Sequence, residues 1–283
     1  MNTARPNAIV TGAASGLGRA LAVRLAAEGW RIAVADINTA GSKETLELIE
    51  TAGGIGRIEH LDVTRLEDWE SLRERLSADW SHLDLLVNNA GVGCSGDMGA
   101  FPLEDWHWLL NINLYGGIYG CHVLVDWLKR NPSGSHIINT ASFAAIAPSP
   151  SMAAYNVAKA GIVALSETLY GELSPYGVGV TVICPMFFRT NIHKAGRFHN
   201  KTTKQFIEES TRKSVLTAED VADAAILAMR RKQLYVIPGR QARWYWWRRR
   251  LMPTTFLKGI SRDVARRLRD DELRTKDENL MNV

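Results

Sequence analysis

The sequence predicts a doubly wound α/β domain, a parallel sheet of about seven strands with helices on both faces. Three observations carry the prediction. A short apolar run, Asn7 to Thr11, stops at a glycine-rich loop and passes into an Ala/Leu-rich helix. Strand-like and helix-like stretches then alternate with short links, the pattern of a parallel sheet covered on both sides. The unusual polar residues fall at the carboxyl ends of the strands, where open α/β sheets bind their ligands.

Asn7 to Thr11 reads as a buried parallel strand because its apolar residues run without alternation and end at glycine. The loop Thr11-Gly12-Ala13-Ala14-Ser15-Gly16-Leu17-Gly18 lets backbone approach a pyrophosphate, whose charge sits at the start of the helix running to Gly29. The second strand, Arg31 to Ala35, ends in Asp36, 18 residues past Gly18. A carboxylate there can bind both hydroxyls of an adenosine ribose, whereas a 2′-phosphate would meet like charge. Ile37, Asn38 and Ser15 supply no compensating base, so NAD is expected in preference to NADP. Arg19 is the dissenting cation, and its place inside the helix favours a surface role.

Helix Thr39–Ala52, strand Arg57–Leu61, helix Leu66–Trp80 and strand Leu83–Val87 follow. A long helix from about Leu103 to Arg130, a strand Ser135–Thr140, a helix from Met152 to about Leu173 and a strand Gly179–Ile183 continue the alternation. Asp62, Asn88, Asn89, Ser142 and Pro185 each stand just past a strand. The Met152 helix carries Tyr155 and Lys159, four residues apart and so on one face. A free tyrosine, with a pKa near ~10, carries protons poorly at neutral pH. A fixed cation beside it favours the phenolate and would bring it toward the working range of a general acid/base.

The composition fits one globular domain plus extensions: 283 residues, 46% apolar and 23% charged. Cys94, Cys121 and Cys184 form an odd, sparse set that suits free thiols in a reducing compartment. No Cys or His pair has metal-ligand spacing, so no metal is expected. The short polar start does not resemble a signal peptide, and no apolar run approaches the ~20 residues of a membrane span, so a cytoplasmic location is expected. The formal charge of +4 is unevenly placed, since Arg240 to Arg269 holds ten Arg/Lys against Asp263 alone.

At these residues the chain closely resembles the short-chain dehydrogenase/reductase family, in its branch with Thr-Gly-x-x-x-Gly-x-Gly and Tyr-x-x-x-Lys. The likeness covers about residues 7 to 238 and implies a Rossmann-type NAD-binding domain over residues 1–238. It places Thr11, Gly12, Gly16 and Gly18 in the pyrophosphate loop beside Leu17, and Asp62 and Val63 against the adenine. Asn88-Asn89-Ala90-Gly91 matches the motif that steadies the central sheet and flanks the adenine ribose. Thr190 matches the residue that binds the carboxamide. Asn113, Ser142, Tyr155 and Lys159 match the catalytic set. Ser142 would hold the substrate oxygen, Tyr155 would move the proton, Lys159 would hold the nicotinamide ribose and lower the Tyr155 pKa, and Asn113 would anchor a water. One motif departs: where the family has Pro-Gly, this chain has Pro185-Met186, which puts a polarizable side chain near the substrate. The resemblance also implies a homodimer or homotetramer built on the Leu103 and Tyr155 helices.

From Met186 to Ser214 the alternation breaks, as expected of a substrate lid. Its Phe187, Phe188, Ile192, Phe198 and Phe206 argue for a bulky apolar or aromatic substrate, or else fill the lid's own core. Met186 and Cys94, with Met98 nearby, would line the mouth. His193 and His199 are candidate substrate contacts, although histidines so placed are more often exposed, solvated imidazoles. Thr217-Ala218-Glu219-Asp220 starts a capped helix, and Leu234–Pro238 is the last strand. The 239–283 extension carries Trp244, Tyr245, Trp246 and Trp247 among arginines, then Leu257, Ile260, Val264 and Leu268 at helical spacing. Two readings stay open: peripheral contact with an anionic membrane surface, or packing on its own domain or a neighbouring subunit with the tryptophans inward. No stacking module accompanies the charge, so nucleic acid is not expected. The functional expectation is an NAD(H)-dependent oxidoreductase interconverting a secondary alcohol and a ketone. The alternatives are an NADP-linked carbonyl reductase of the same fold and a catalytically silent cofactor-binding scaffold.

Overall fold

A computed structural model describes residues 5–190, 192, 195–264 and 266. The chain begins β1 (Asn7–Thr11), α1 (Gly16–Ala27), β2 (Arg31–Asp36), α2 (Thr39–Thr51), β3 (Ile55–His60), α3 (Leu66–Ser77) and β4 (Leu85–Asn88). It continues with β5 (Cys94–Ser95), α4 (Leu103–Leu110), α5 (Gly116–Lys129), β6 (Ser135–Thr140), α6 (Ala153–Leu173) and β7 (Val178–Ile183). Then come β8 (Arg197–Phe198), α7 (Lys201–Lys213), α8 (Ala218–Arg230), β9 (Tyr235–Val236), α9 (Arg240–Leu251) and a last helix, α10, over 253–264. Seven strands form one parallel sheet in the order β3-β2-β1-β4-β6-β7-β9. The winding reverses between β1 and β4, which opens a crevice beyond their carboxyl ends.

The sheet is buried on both faces, which is why its strands read as unbroken apolar runs. Val10, Val34, Val87 and Ile183 face α1 and α8, with Leu21, Leu25, Val221 and Ile226 packed on them. Ile9, Ala33, Leu86, Ile137 and Val180 point the other way, onto Trp69, Leu72, Leu76, Leu124 and Trp127. Successive strand residues alternate between these two cores, as the period of two requires.

Local differences from the sequence reading have physical causes. The single helix expected from Leu103 to Arg130 is interrupted by a π turn at Asn111–Tyr115. There the Asn113 amide accepts from Val92 N and donates to Val92 O, both at 2.8 Å, and so ties the turn to the loop after β4. β3 starts at Ile55, earlier than expected, in register with Arg31 of β2. β9 is shorter than Leu234–Pro238; Leu234 and Val236 carbonyls accept from Val182 and Cys184, and Pro238 has no N–H to extend the ladder. The lid is more regular than expected, since β8 pairs with β5 and α7 follows. Buried Asp105 on α4 staples it through Arg197 and through His199 Nε2 at 2.6 Å. Burial alone would raise the Asp105 pKa, but these two partners hold it below the usual carboxylate range. His199 is therefore paired and not simply solvated. Thr217 and Asp220 form the expected capping box.

The extension folds back on the domain. Ala242 and Phe256 are buried, Tyr245 lies 6.3 Å from the Phe143 ring, and Trp246 lies 5.9 Å from Tyr235. The tryptophans divide, with Trp246 packed inward while Trp244 and Trp247 stay exposed. Leu268 lies outside the described residues.

β6 also carries a pH-sensitive group. His136 is buried with Nε2 2.8 Å from Thr181 Oγ1, and burial, helped by the Lys232 charge, pushes its pKa from 6.5 down to about 4. Between those values the unfolded chain binds a proton that the fold does not. Stability is therefore lost as pH falls from 6.5 to about 4, by about 3 kcal/mol in all. Urea midpoints followed over this range are expected to fall, and to fall less steeply in His136→Gln. An unchanged slope in the variant would acquit His136.

Candidate active site

The crevice is a cavity of about 1060 Å³ that runs from Asp36 at one end to α9 and α10 at the other. Its first half is built by β1, β4 and the loop between β1 and α1. Thr11 Oγ1 donates to Val87 O at 3.2 Å and accepts from the backbone of Asn89 at 2.9 Å and Ala90 at 3.0 Å. Asn89 Nδ2 returns a bond to Thr11 O at 3.0 Å, so the two strand ends are locked together. Gly12 and Gly16 have φ of +65° and +53°, the left-handed region where a side chain is strained. Ser15 precedes α1 without a side-chain cap bond, and the first turn holds no acidic residue. Such a helix start, with open N–H groups, favours an anion.

Asp36 stands at the end of β2. Its Oδ2 accepts from Ala14 N at 3.0 Å and its Oδ1 from Asn38 N at 2.9 Å, which fixes the carboxylate on the cavity wall. Arg19 is turned away to Ala14 O at 2.5 Å, Thr45 at 3.0 Å and Glu44 at 2.7 Å. Asp62 Oδ1 accepts from Thr64 N and Oγ1, and Asp62 and Val63 both line the cavity. Leu17, Gly91, Pro185 and Thr190 line it too. Thr190 Oγ1 lies 3.4 Å from where a Cβ on Gly16 would sit, which brings the segment after β7 against the glycine loop. These residues fit a dinucleotide: a phosphate cradle that side chains would fill, and a fixed acid one strand away.

The second half centres on α6. Tyr155 is buried, the Ser142 hydroxyl hydrogen-bonds its phenol, and both line the cavity. Lys159 lies one turn on, its Nζ 5.8 Å from the Tyr155 ring centre and donating to Thr140 O at 2.9 Å. Burial dominates both groups. It pushes the phenol up to about 12, against the lowering effect of Ser142, and the ammonium down to about 8. The direction is opposite to the one expected from the Tyr-Lys spacing: desolvation leads, and the group that lowers the phenol is Ser142. Asn113 is buried behind this group, with its amide spent on Val92.

Met186, Phe187 and Phe188 line the substrate side, with Phe187 edge-on to Phe206 at 5.5 Å. Cys94 does not line it. It is buried in β5 against Phe101 and α6, with its thiol pushed up to about 12. Met98 is exposed and does not line it either. His193 lies outside the described residues. The sequence missed the opposite wall, made by Tyr245 and Arg248 of α9 and Phe256 and Ile260 of α10. The helical spacing of Ile260 and Val264 signalled an apolar face without showing what it meets. Among the described residues, no cluster of His, Cys, Asp and Glu could hold a metal ion.

Comparison with known proteins agrees with this geometry. The family model for short chain dehydrogenases matches residues 6–201. "Probable oxidoreductase EphD" of Mycobacterium tuberculosis is 37% identical over 232 residues, 79% of this chain. The chain spans only 39% of that relative's length. "3beta-hydroxysteroid dehydrogenase 1" of Eggerthella lenta is 33% identical over 77% of this chain and 84% of its own. A short-chain dehydrogenase/reductase from Burkholderia phymatum, solved with NAD, superimposes with a TM-score of 0.80 at 28% identity, covering 89% of this chain and 96% of that one. With the glycine cradle, the Ser-Tyr-Lys cluster and these matches in agreement, the chain belongs to the short-chain dehydrogenase/reductase family and carries its nicotinamide-dinucleotide-binding fold.

Proposed function

We propose that the chain is an NAD-linked oxidoreductase interconverting a secondary alcohol and a ketone on a bulky apolar substrate. One observation carries the reading: the Tyr155–Ser142 hydroxyl pair and the Asp36 carboxylate open onto the same cavity from its two halves. Gly12, Gly16 and the start of α1 would hold the pyrophosphate, Asp36 the adenosine ribose, and Lys159 and Thr190 the nicotinamide end. The bound dinucleotide would accept a hydride from the alcohol carbon or return one to the ketone. Ser142 would orient the substrate oxygen, and Tyr155 would take its proton in oxidation and give it back in reduction. With its amide bonded to both Val92 N and Val92 O, Asn113 would shape the loop beneath this pair. The aromatic walls favour a large apolar body, in keeping with the name of the steroid-acting relative.

The nucleotide preference rests on Asp36, with Arg19 diverted to Glu44. Calorimetric titration is expected to show NAD+ binding at least tenfold tighter than NADP+. Asp36→Ala should weaken NAD+ by about 10- to 100-fold, the worth of hydrogen bonds to a charged group. Equal affinity of the wild type for both would remove the NAD assignment, and tighter NADP+ binding would reverse it in favour of an NADP-linked reductase. Sterols, aromatic alcohols and long-chain alcohols, followed at the reduced-nicotinamide absorbance, would test the substrate class. Turnover confined to small polar alcohols would reject it.

A further inference from the structure

α9 faces two ways. Ala242, Tyr245 and Trp246 turn onto the domain, whereas Trp244, Trp247 and Leu251, three and four residues apart, project outward at 53%, 56% and 75% exposure. Large apolar side chains in one exposed row mark an interaction site more often than ordinary surface. The row lies in a field of one sign. Arg240, Arg243, Arg248, Arg249 and Arg250 belong to α9, and Lys258, Arg262 and Arg266 lie beyond it. Among the described residues of this stretch the acid is Asp263, which pairs with Arg266 at 3.0 Å. The row also borders the cavity, since Trp244 and Arg248 line it. Arg248 stacks over the Trp244 ring at 4.6 Å, so charge and indole are presented side by side.

We propose that α9 docks flat on an anionic lipid surface, with its indoles at the headgroup level and its arginines on the lipid phosphates. Tryptophan is at home at that depth, where one side of the ring is apolar and the N–H stays wet. A helix with basic and bulky apolar side chains interleaved lies in the interface and does not cross it. No described helix is long and apolar enough to span a membrane. The cavity mouth then faces the layer in which apolar substrates dissolve.

Flotation of the full chain with vesicles tests this. Phosphatidylglycerol-containing vesicles are expected to bind at least tenfold more tightly than phosphatidylcholine vesicles, with the difference shrinking as salt rises. Trp247→Ser/Leu251→Ser and, separately, Arg243→Gln/Arg249→Gln should each weaken binding about tenfold or more. Neither pair lines the cavity, so melting temperature and turnover on a soluble substrate should be unchanged. Several outcomes would overturn the proposal. These are no preference for anionic vesicles, undiminished binding by either variant, and a dimer that becomes a monomer in Trp247→Ser/Leu251→Ser while vesicle binding stays constant. Salt-sensitive binding to duplex DNA without vesicle affinity would also overturn it. Vesicle binding is read by flotation and not by turnover, so its failure and failure of the redox assignment, on which the role of the cavity mouth rests, are separable.

Discussion

Tyr155→Phe is expected to lower turnover by about 10²–10⁴-fold, the usual worth of a positioned acid/base, with NAD+ affinity within about twofold of wild type. The substitution removes one oxygen. The ring remains packed against Ala154, Ala158 and Leu109 on the α6 side of the cavity, so the fold loses no apolar contact. What disappears is the hydroxyl that Ser142 hydrogen-bonds on the cavity wall. The pH dependence should differ between directions. Because burial pushes the phenol up to about 12, its acid form dominates near neutrality and serves ketone reduction without further change. Alcohol oxidation needs the phenolate, whose small fraction grows roughly tenfold per pH unit below its pKa. Oxidation should therefore rise steeply between pH 6 and 8 while reduction stays nearly flat. Initial rates in both directions, with NAD+ binding measured by titration, decide the matter. Near-normal kcat in the variant would end the acid/base assignment. A wild type that binds NAD+ and turns over none of the alcohols would point to a silent scaffold.

The second large effect is expected at Gly18. A Cβ there would sit 2.2 Å from Gly12 O, 2.7 Å from Gly12 C and 2.6 Å from Asn89 Nδ2. Two of these atoms are backbone, and the third is the amide that locks β4 to β1, so no side-chain rotation relieves the clash. α1 would have to move away from the loop, taking its open first turn with it. Gly18→Ala is expected to weaken NAD+ at least a hundredfold and to destabilise the fold by about 1–3 kcal/mol or more, as overpacking does. Gly171, exposed in α6 with nothing within 4 Å of its missing Cβ, provides the control. Alanine there should leave binding intact and add up to about 1 kcal/mol of helix stability. Thermal melts and titration of both variants would show it. Wild-type affinity in Gly18→Ala would mean that the close approach of loop and helix has no functional consequence.

The parts of this site that could be read in the sequence are those where a short segment does its own work. The glycines after β1 answer to local backbone geometry, Asp36 to its place at the end of one strand, and Tyr155 and Lys159 to the pitch of one helix. The parallel sheet of about seven strands was legible because two cores leave most of its central strands apolar on both faces. Other features depend on what comes near from far along the chain, and they were hidden or misread. Asp105 gives no sign in the sequence that Arg197 and His199 will close on it. Cys94 lies near the cavity residues in sequence yet turns into the α6 packing. The direction of the Tyr155 shift depends on how completely its surroundings exclude water, a property that spacing does not encode. Above all, the aromatic and apolar residues of 240–264 announced a face without naming its partner.

The order in which the walls of the cavity occur along the chain has a consequence for biogenesis. The cradle between Thr11 and Gly91 leaves the ribosome before the rest of the cavity, whereas Tyr245, Arg248, Phe256 and Ile260 follow β9, the last strand of the sheet. A nascent chain therefore has its nucleotide-gripping parts long before its substrate chamber has a far side. A premature stop before α9 would leave a product with the Ser-Tyr-Lys cluster but without the enclosure around it.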